Sequence, residues 1–231
     1  MIQRLNPFDV ESGIYLDSIN PTKSSIKEQI LQDIQDSREL NYRVVFSTES
    51  VSYCVALVDM IDSTKIVSRL GIKKMSKYYE CFLNLMSRVI CKFDGKIVKN
   101  IGDCLMFYFP KTSSLSDRAV IKRSIECCIA MTQVHDYLCS QMKLEGLPCI
   151  DYRISMDYGS VMPMKTSDSE FLDMIGPPVN MCSKINHLAE KNGVVIGGDL
   201  YEIAKHLGFS FRQVHSYSIG FKQSYPTYSV R

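Results

Sequence analysis

The chain has 231 residues, of which 45% are hydrophobic and 23% charged, and a formal net charge of +2. That length is enough for one substantial domain with a real core and an added arm. The near-neutral balance argues against a dedicated nucleic-acid or membrane-surface binder, which would concentrate basic charge.

Residues 1–20 read as irregular, punctuated by Asn6-Pro7, Gly13 and Asn20-Pro21. A helix is expected over 22–40, capped by Ser24 or Ser25, with Ile26, Ile30, Leu31 and Ile34 on one face. This arm, 1–45, precedes a domain over 46–231. Residues 44–46 suit a short strand. The apolar run 53–58 suits a buried strand that ends at Asp59. Asp62-Ser63-Thr64 forms a polar loop, with Ser63 or Thr64 as helix cap, and 64–91 is a helix broken at Gly71. Residues 96–100 and 103–109 form a hairpin around Ile101-Gly102, which leaves Asp103 beside its tip. One helix is expected over 117–144. A strand over 149–156 ends at Tyr158-Gly159, and a second follows at 161–164. Gly176-Pro177-Pro178 leads into a helix over 179–191. A strand at 194–196, a small helix at 199–207, and strands at 209–217 and 225–230 close the chain.

The order β-α-β-β-α-β followed by further elements implies an α+β fold: a ferredoxin-like βαββαβ core with C-terminal additions. Helices on one face of an antiparallel sheet are expected.

Nine cysteines, scattered and without a C-x-x-C pair, read as free thiols in a reducing compartment, most of them acting as small apolar residues. Four histidines, with no Cys/His cluster, argue against a zinc site. There is no run apolar enough for a membrane span, and residues 1–13 lack a signal-peptide core, so a soluble cytoplasmic protein is expected. P-loop and Rossmann fingerprints are absent.

The chemistry points to Asp59 and Asp103. In this topology the first strand and the hairpin are central neighbours, so both carboxylates reach one end of the sheet. Such a pair can bind Mg²⁺ jointly with substrate phosphates.

Four motifs then stand in order: VALVDMIDST (55–64), GKIVKNIGDCLMFYF (95–109), YRISMDYGSV (152–161) and FLDMIGPPVNMCSKI (171–185). With the closing IGFKQSYPTYSV (219–230), they resemble the class III nucleotidyl cyclases, the adenylate and guanylate cyclase catalytic domain, over nearly all of the chain past its arm. The resemblance implies conversion of a nucleoside triphosphate to a 3′,5′-cyclic nucleotide and pyrophosphate. It implies two Mg²⁺ or Mn²⁺ ions on Asp59 and Asp103, with the Met60 carbonyl as an extra ligand. Ser63 and Thr64 would lie against the phosphates, Asn180 would orient the ribose and Lys222 would hold the terminal phosphates. Lys99 and Asp173 occupy the base-reading positions. Adenine N1 accepts from a lysine and its N6 amine donates to a carboxylate, so ATP is the implied substrate. In the family the metal carboxylates come from one subunit and the base-reading and transition-state residues from the other, which implies a head-to-tail homodimer closed by symmetry.

Two positions depart from the family pattern. Lys184 stands where the family has its transition-state arginine, so a compact charge replaces a planar fork. Asp62 stands where glycine is common and adds a negative charge near the triphosphate. These departures keep two alternatives open: a weak or inactive nucleotide-binding signalling module, and a cyclase for another base such as a pyrimidine.

Overall fold

The computed structural model describes residues 26–28, 44–114, 117–166, 173–218 and 224–231. The chain divides into two compact units, Met1–Asn41 and Tyr42–Arg231. Within the first, residues 26–28 are helical and exposed. The remainder of the expected 22–40 helix lies outside the described residues.

The second unit is built on a mixed sheet. Its strands are β1 (Val44–Phe46), β2 (Val51–Met60), β3 (Lys96–Ile101), β4 (Cys104–Phe109), β5 (Tyr152–Thr166), β6 (Asp173–Ile175), β7 (Gly193–Gly197), β8 (Phe211–Ser218) and β9 (Ser224–Val230). The main path runs β3-β4-β2-β5-β7-β9-β8, with β1 and β6 both paired to β5. The segment β5-β2-β4-β3 is the expected ferredoxin-like core, with β2 antiparallel to both β4 and β5. The β5–β7 pair is parallel, so the sheet is mixed where a purely antiparallel one was expected.

Side chains alternate across a strand, and β2 uses both faces. Cys54, Ala56, Val58 and Met60 point into the larger core. Over that face lie α2 (Ile72–Lys92), α3 (Arg118–Gln133), α4 (His135–Leu144) and α6 (Gly198–Ala204). The inner stripe of α2 is Tyr78, Phe82, Met86 and Ile90, each four residues on from the last, which is the spacing of one helical face. Val55 and Leu57 point the other way, into a smaller core with Met106, Val161, Met174 and Cys182. Cys182 belongs to α5 (Pro177–Ile185), so this helix covers the opposite face. The expectation of helices on one face is therefore corrected: the odd-numbered positions of β2 are apolar too, and they need their own cover.

Three further expectations change. The helix expected over 117–144 is two helices, broken at Val134. The Tyr152 hydroxyl donates to the Met131 carbonyl at 2.6 Å, the acceptor that an unbroken helix would offer to the His135 N–H. β5 runs on without a break through Tyr158-Gly159. Gly159 serves close packing there, since a Cβ on it would meet Pro178 of α5 at 3.3 Å. Residues 179–191 are helical only to Ile185, continuing as a 3₁₀ turn over Asn186–Leu188.

The cysteines also differ from the reading as free thiols. Cys139 of α4 and Cys149, just ahead of β5, form a disulfide with Cα atoms 4.7 Å apart. Cys54, Cys127, Cys128 and Cys182 are buried and free, as small apolar residues. No helix among the described residues is long and apolar enough to cross a membrane.

Candidate active site

The register of the β2–β4 ladder builds the site. Val55 stands opposite Tyr108, Leu57 opposite Met106 and Asp59 opposite Cys104, so these pairs share the face covered by α5. Asp59 is the last odd-numbered position of β2, where the smaller core gives way to the sheet edge. The hairpin turns at Gly102, whose φ of +63° is left-handed backbone that glycine adopts without strain. That turn sets Asp103 next to Cys104 and hence beside Asp59. Burial first, then the charge of Asp103, push the Asp59 carboxyl up to about 6, while Arg153 pulls it down.

Ser63 opens the short helix α1 (Ser63–Val67) and is buried. Its hydroxyl donates to Oδ2 of Asp103, linking the loop after β2 to the hairpin tip. Its side chain is thus engaged with the Asp103 carboxylate. Thr64 beside it is exposed. Asp62, just ahead of α1, is exposed with φ 55°, a left-handed conformation that aspartate tolerates better than most residues.

A cavity of about 350 Å³ opens between this end of the sheet and α5. Asp59, Ile101 and Cys104 line one side, and Asn180, Ser183 and Asn186 the other. Asn180 is therefore brought to the same hollow as Asp59 within one chain. Lys184 lies one helical turn after Asn180 on α5 and is exposed, and it is not among the residues lining that cavity.

Lys99 on β3 and Asp173 on β6 form an ion pair, Nζ to Oδ2, and Asp173 Oδ1 also accepts from the Met174 N–H at 2.8 Å. The two positions expected to read the base thus meet in the fold. Asp173 sits on the short strand β6, paired to Met164 of β5. Lys222 lies outside the described residues.

Sequence reasoning missed Arg153. It stands directly opposite Asp59 in the β2–β5 ladder and, among the described residues, is the cation that lowers that carboxyl. Its motif was visible, but the register that aims it was not. Cys104 was also passed over. Its thiol is pushed up to about 12 by burial, then by Asp59 and Asp103, so it stays protonated beside them. The ionisable donors at this end are thus carboxylates, a set that fits a hard divalent cation such as Mg²⁺ or Mn²⁺.

Residues 45–231 match the family model described as the adenylate and guanylate cyclase catalytic domain. The chain belongs to this family and is a class III nucleotidyl cyclase domain. Among solved structures, the adenylyl cyclase CyaB from P. aeruginosa superposes with a TM-score of 0.70 at 21% identity, covering 82% of this chain and 96% of that one. The guanylyl cyclase Cya2 gives 0.69 at 19% identity, covering 79% and 92%. These likenesses show the fold. Among curated relatives, the photoactivated adenylate cyclase subunit beta of Euglena gracilis is 23% identical over 104 residues, 45% of this chain and 12% of its own. An adenylate cyclase of Streptomyces coelicolor is 21% identical over 142 residues, 62% of this chain and 31% of its own. The chain thus spans a minor part of the length of these relatives.

Proposed function

We propose that this domain converts ATP to 3′,5′-cyclic AMP and pyrophosphate, at a site completed by a second copy of the chain in head-to-tail arrangement. The observation that carries the reading is the meeting of Asp59 and Asp103 at one end of the β2–β4 ladder. Asp59, Asp103 and the Met60 carbonyl would hold two Mg²⁺ or Mn²⁺ ions. When bound, these supply charge neutralisation of the triphosphate and ease loss of the ribose 3′-hydroxyl proton. Ser63 holds Asp103 in place through its hydroxyl. Backbone N–H groups in the first turn of α1, at Ser63 and Thr64, face no intrahelical acceptor and suit phosphate oxygens. Asn180 orients the ribose. Lys184 meets the charge that develops at the α-phosphate, and Lys222 holds the terminal phosphates. Lys99 donates to adenine N1 and Asp173 accepts from the N6 amine. Their ion pair supports this assignment, because it places the donor and the acceptor side by side. The reaction is in-line attack of the 3′-oxygen on the α-phosphorus as the bond to pyrophosphate breaks.

The test is purified protein with each of the four nucleoside triphosphates and Mn²⁺, read by product mass, with oligomeric state measured by sedimentation. Cyclic AMP as the main product of a dimer is expected. A cyclic pyrimidine nucleotide would overturn the base assignment.

A second reading, a nucleotide-binding signalling module with little turnover, draws on Lys184 in place of arginine and on the exposed Asp62 beside the phosphate loop. Nucleotide binding with no cyclic product at any enzyme concentration would favour it.

A further inference from the structure

Away from the acid pair, α4 and the segment leading into β5 gather His135, Cys139 and Cys149, whose ligand atoms all lie within 4.8 Å of one another. His135 and Cys139 are one helical turn apart on α4 and therefore share a face. His135 Nε2 lies 3.5 Å from Cys139 Sγ, 3.7 Å from Cys149 Sγ and 3.4 Å from Asp151 Oδ1. It also lies 3.1 Å from the Ile150 carbonyl. His135 Nδ1 lies 3.4 Å from the Asp136 carboxylate on its other side. Asp151 is held in turn by Lys191 at 3.0 Å and by Asn192 at 2.9 Å.

We propose that, with Cys139 and Cys149 reduced, these residues form a site for one thiophilic divalent cation, best fitted by Zn²⁺. The ligands are His135 Nε2, the two thiolates and Asp151 Oδ1. Tetrahedral zinc with bonds of about 2.0–2.3 Å sets its ligand atoms about 3.3–3.8 Å apart. The three distances from Nε2 already fall in that range; on binding, the two sulfurs have to part and Asp151, which stands outside the 4.8 Å cluster, has to close on them. The Nδ1–H then donates to Asp136, the carboxylate–histidine arrangement that fixes the metal-binding tautomer. The Nε2 contact to the Ile150 carbonyl is given up on binding. The disulfide is the metal-free form. A dithiol reductant supplies two electrons and two protons to the S–S bond, giving two thiols, and is itself oxidised to a disulfide. Both thiol protons leave as the metal binds. Soft donors separate this site from the carboxylate pair, and it stands whether or not the cyclase reading holds.

The test uses the full chain, reduced with dithiothreitol and freed of it without oxygen, then dialysed against buffered Zn²⁺. Expected is one more tightly bound ion per chain than in the oxidised protein. His135→Gln should lower affinity at least about a hundred-fold, and Asp136→Asn about ten-fold. With Co²⁺, a thiolate charge-transfer band should persist in Cys104→Ser and vanish in Cys139→Ser/Cys149→Ser, each checked for native circular dichroism. The double cysteine variant also reports any binding at the acid pair alone. Equal zinc content in reduced and oxidised protein overturns the proposal. So does a charge-transfer band that survives in the double variant.

Discussion

Lys99 and Asp173, 74 residues apart, are joined by an ion pair that bridges β3 and β6. Their side chains are 43% and 21% exposed, so the pair contributes at most about 1 kcal/mol to stability. Its value, on the proposed function, lies in reading a base. Lys99→Ala should leave the melting temperature nearly unchanged. It should lower kcat/KM for ATP by about ten- to a hundred-fold, the equivalent of a lost charge-assisted hydrogen bond of about 1.5–3 kcal/mol. Thermal melts and steady-state kinetics with ATP and GTP check these two points, and an unchanged ATP rate would contradict the assignment.

Asp59 carries a like charge beside it and is partly buried, so its ionised form is costly to the metal-free fold. Asp59→Asn removes that cost and the metal ligand together. Activity should fall at least about a thousand-fold, while the metal-free protein melts no lower than the parent. Paired activity and calorimetry measurements decide it; retained turnover would sink the metal assignment.

Lys184 offers one compact charge where a planar fork would meet two phosphate oxygens. If that difference weakens the transition state by about 1.4–3 kcal/mol, Lys184→Arg should raise kcat about ten- to over a hundred-fold with little change in KM. A flat response would mean that the lysine is not the weak point.

Gly176 joins β6 to α5, and so ties Asp173 to Asn180. A Cβ there would stand 2.6 Å from the Ser160 carbonyl oxygen and 3.0 Å from the Cα of Val161. Backbone cannot yield cheaply, so Gly176→Ala should cost about 1–3 kcal/mol of stability and displace both residues. Chemical denaturation and ATP kinetics should worsen together.

Asp157 is buried in the sheet. It accepts from the Tyr225 hydroxyl at 2.8 Å, its own neighbour's Tyr158 N–H at 2.9 Å and the Leu200 N–H at 3.3 Å. Burial outweighs these bonds and pushes its carboxyl up to about 7. The folded chain therefore keeps a proton that the unfolded chain releases from about pH 4 upward. This group's contribution to stability is full below that point and is lost as pH rises through about 7. Asp157→Asn should flatten that slope, which amounts to on the order of 4 kcal/mol across the window. Melting temperatures from pH 4 to pH 8 for both proteins test this.

Much was legible in the chain because it is written in local chemistry. The apolar run ending at Asp59, the Ile101-Gly102 turn and the break at Gly71 each follow from neighbouring residues, and the strands and helices stand where those signals put them. The order of elements was enough to set β2 between β4 and β5. The sequence could not say that α5 covers the opposite face, because a continuous apolar run like that of β2 looks the same with one face buried or two. Nor could it say that 117–144 breaks at Val134, next to a Met131 carbonyl that accepts from the hydroxyl of Tyr152, in another element.

By itself, then, the sequence determined most of the elements, their order and the two carboxylates at one end of the sheet, because backbone geometry and apolar periodicity act over a few residues. Only the tertiary structure decided who meets whom. Ladder register aimed Arg153 at Asp59, a bridging hydroxyl tied Ser63 to Asp103, and a helix face closed against a loop brought His135, Cys139 and Cys149 together. Such meetings depend on which distant backbones pair, and no single stretch of chain carries that information.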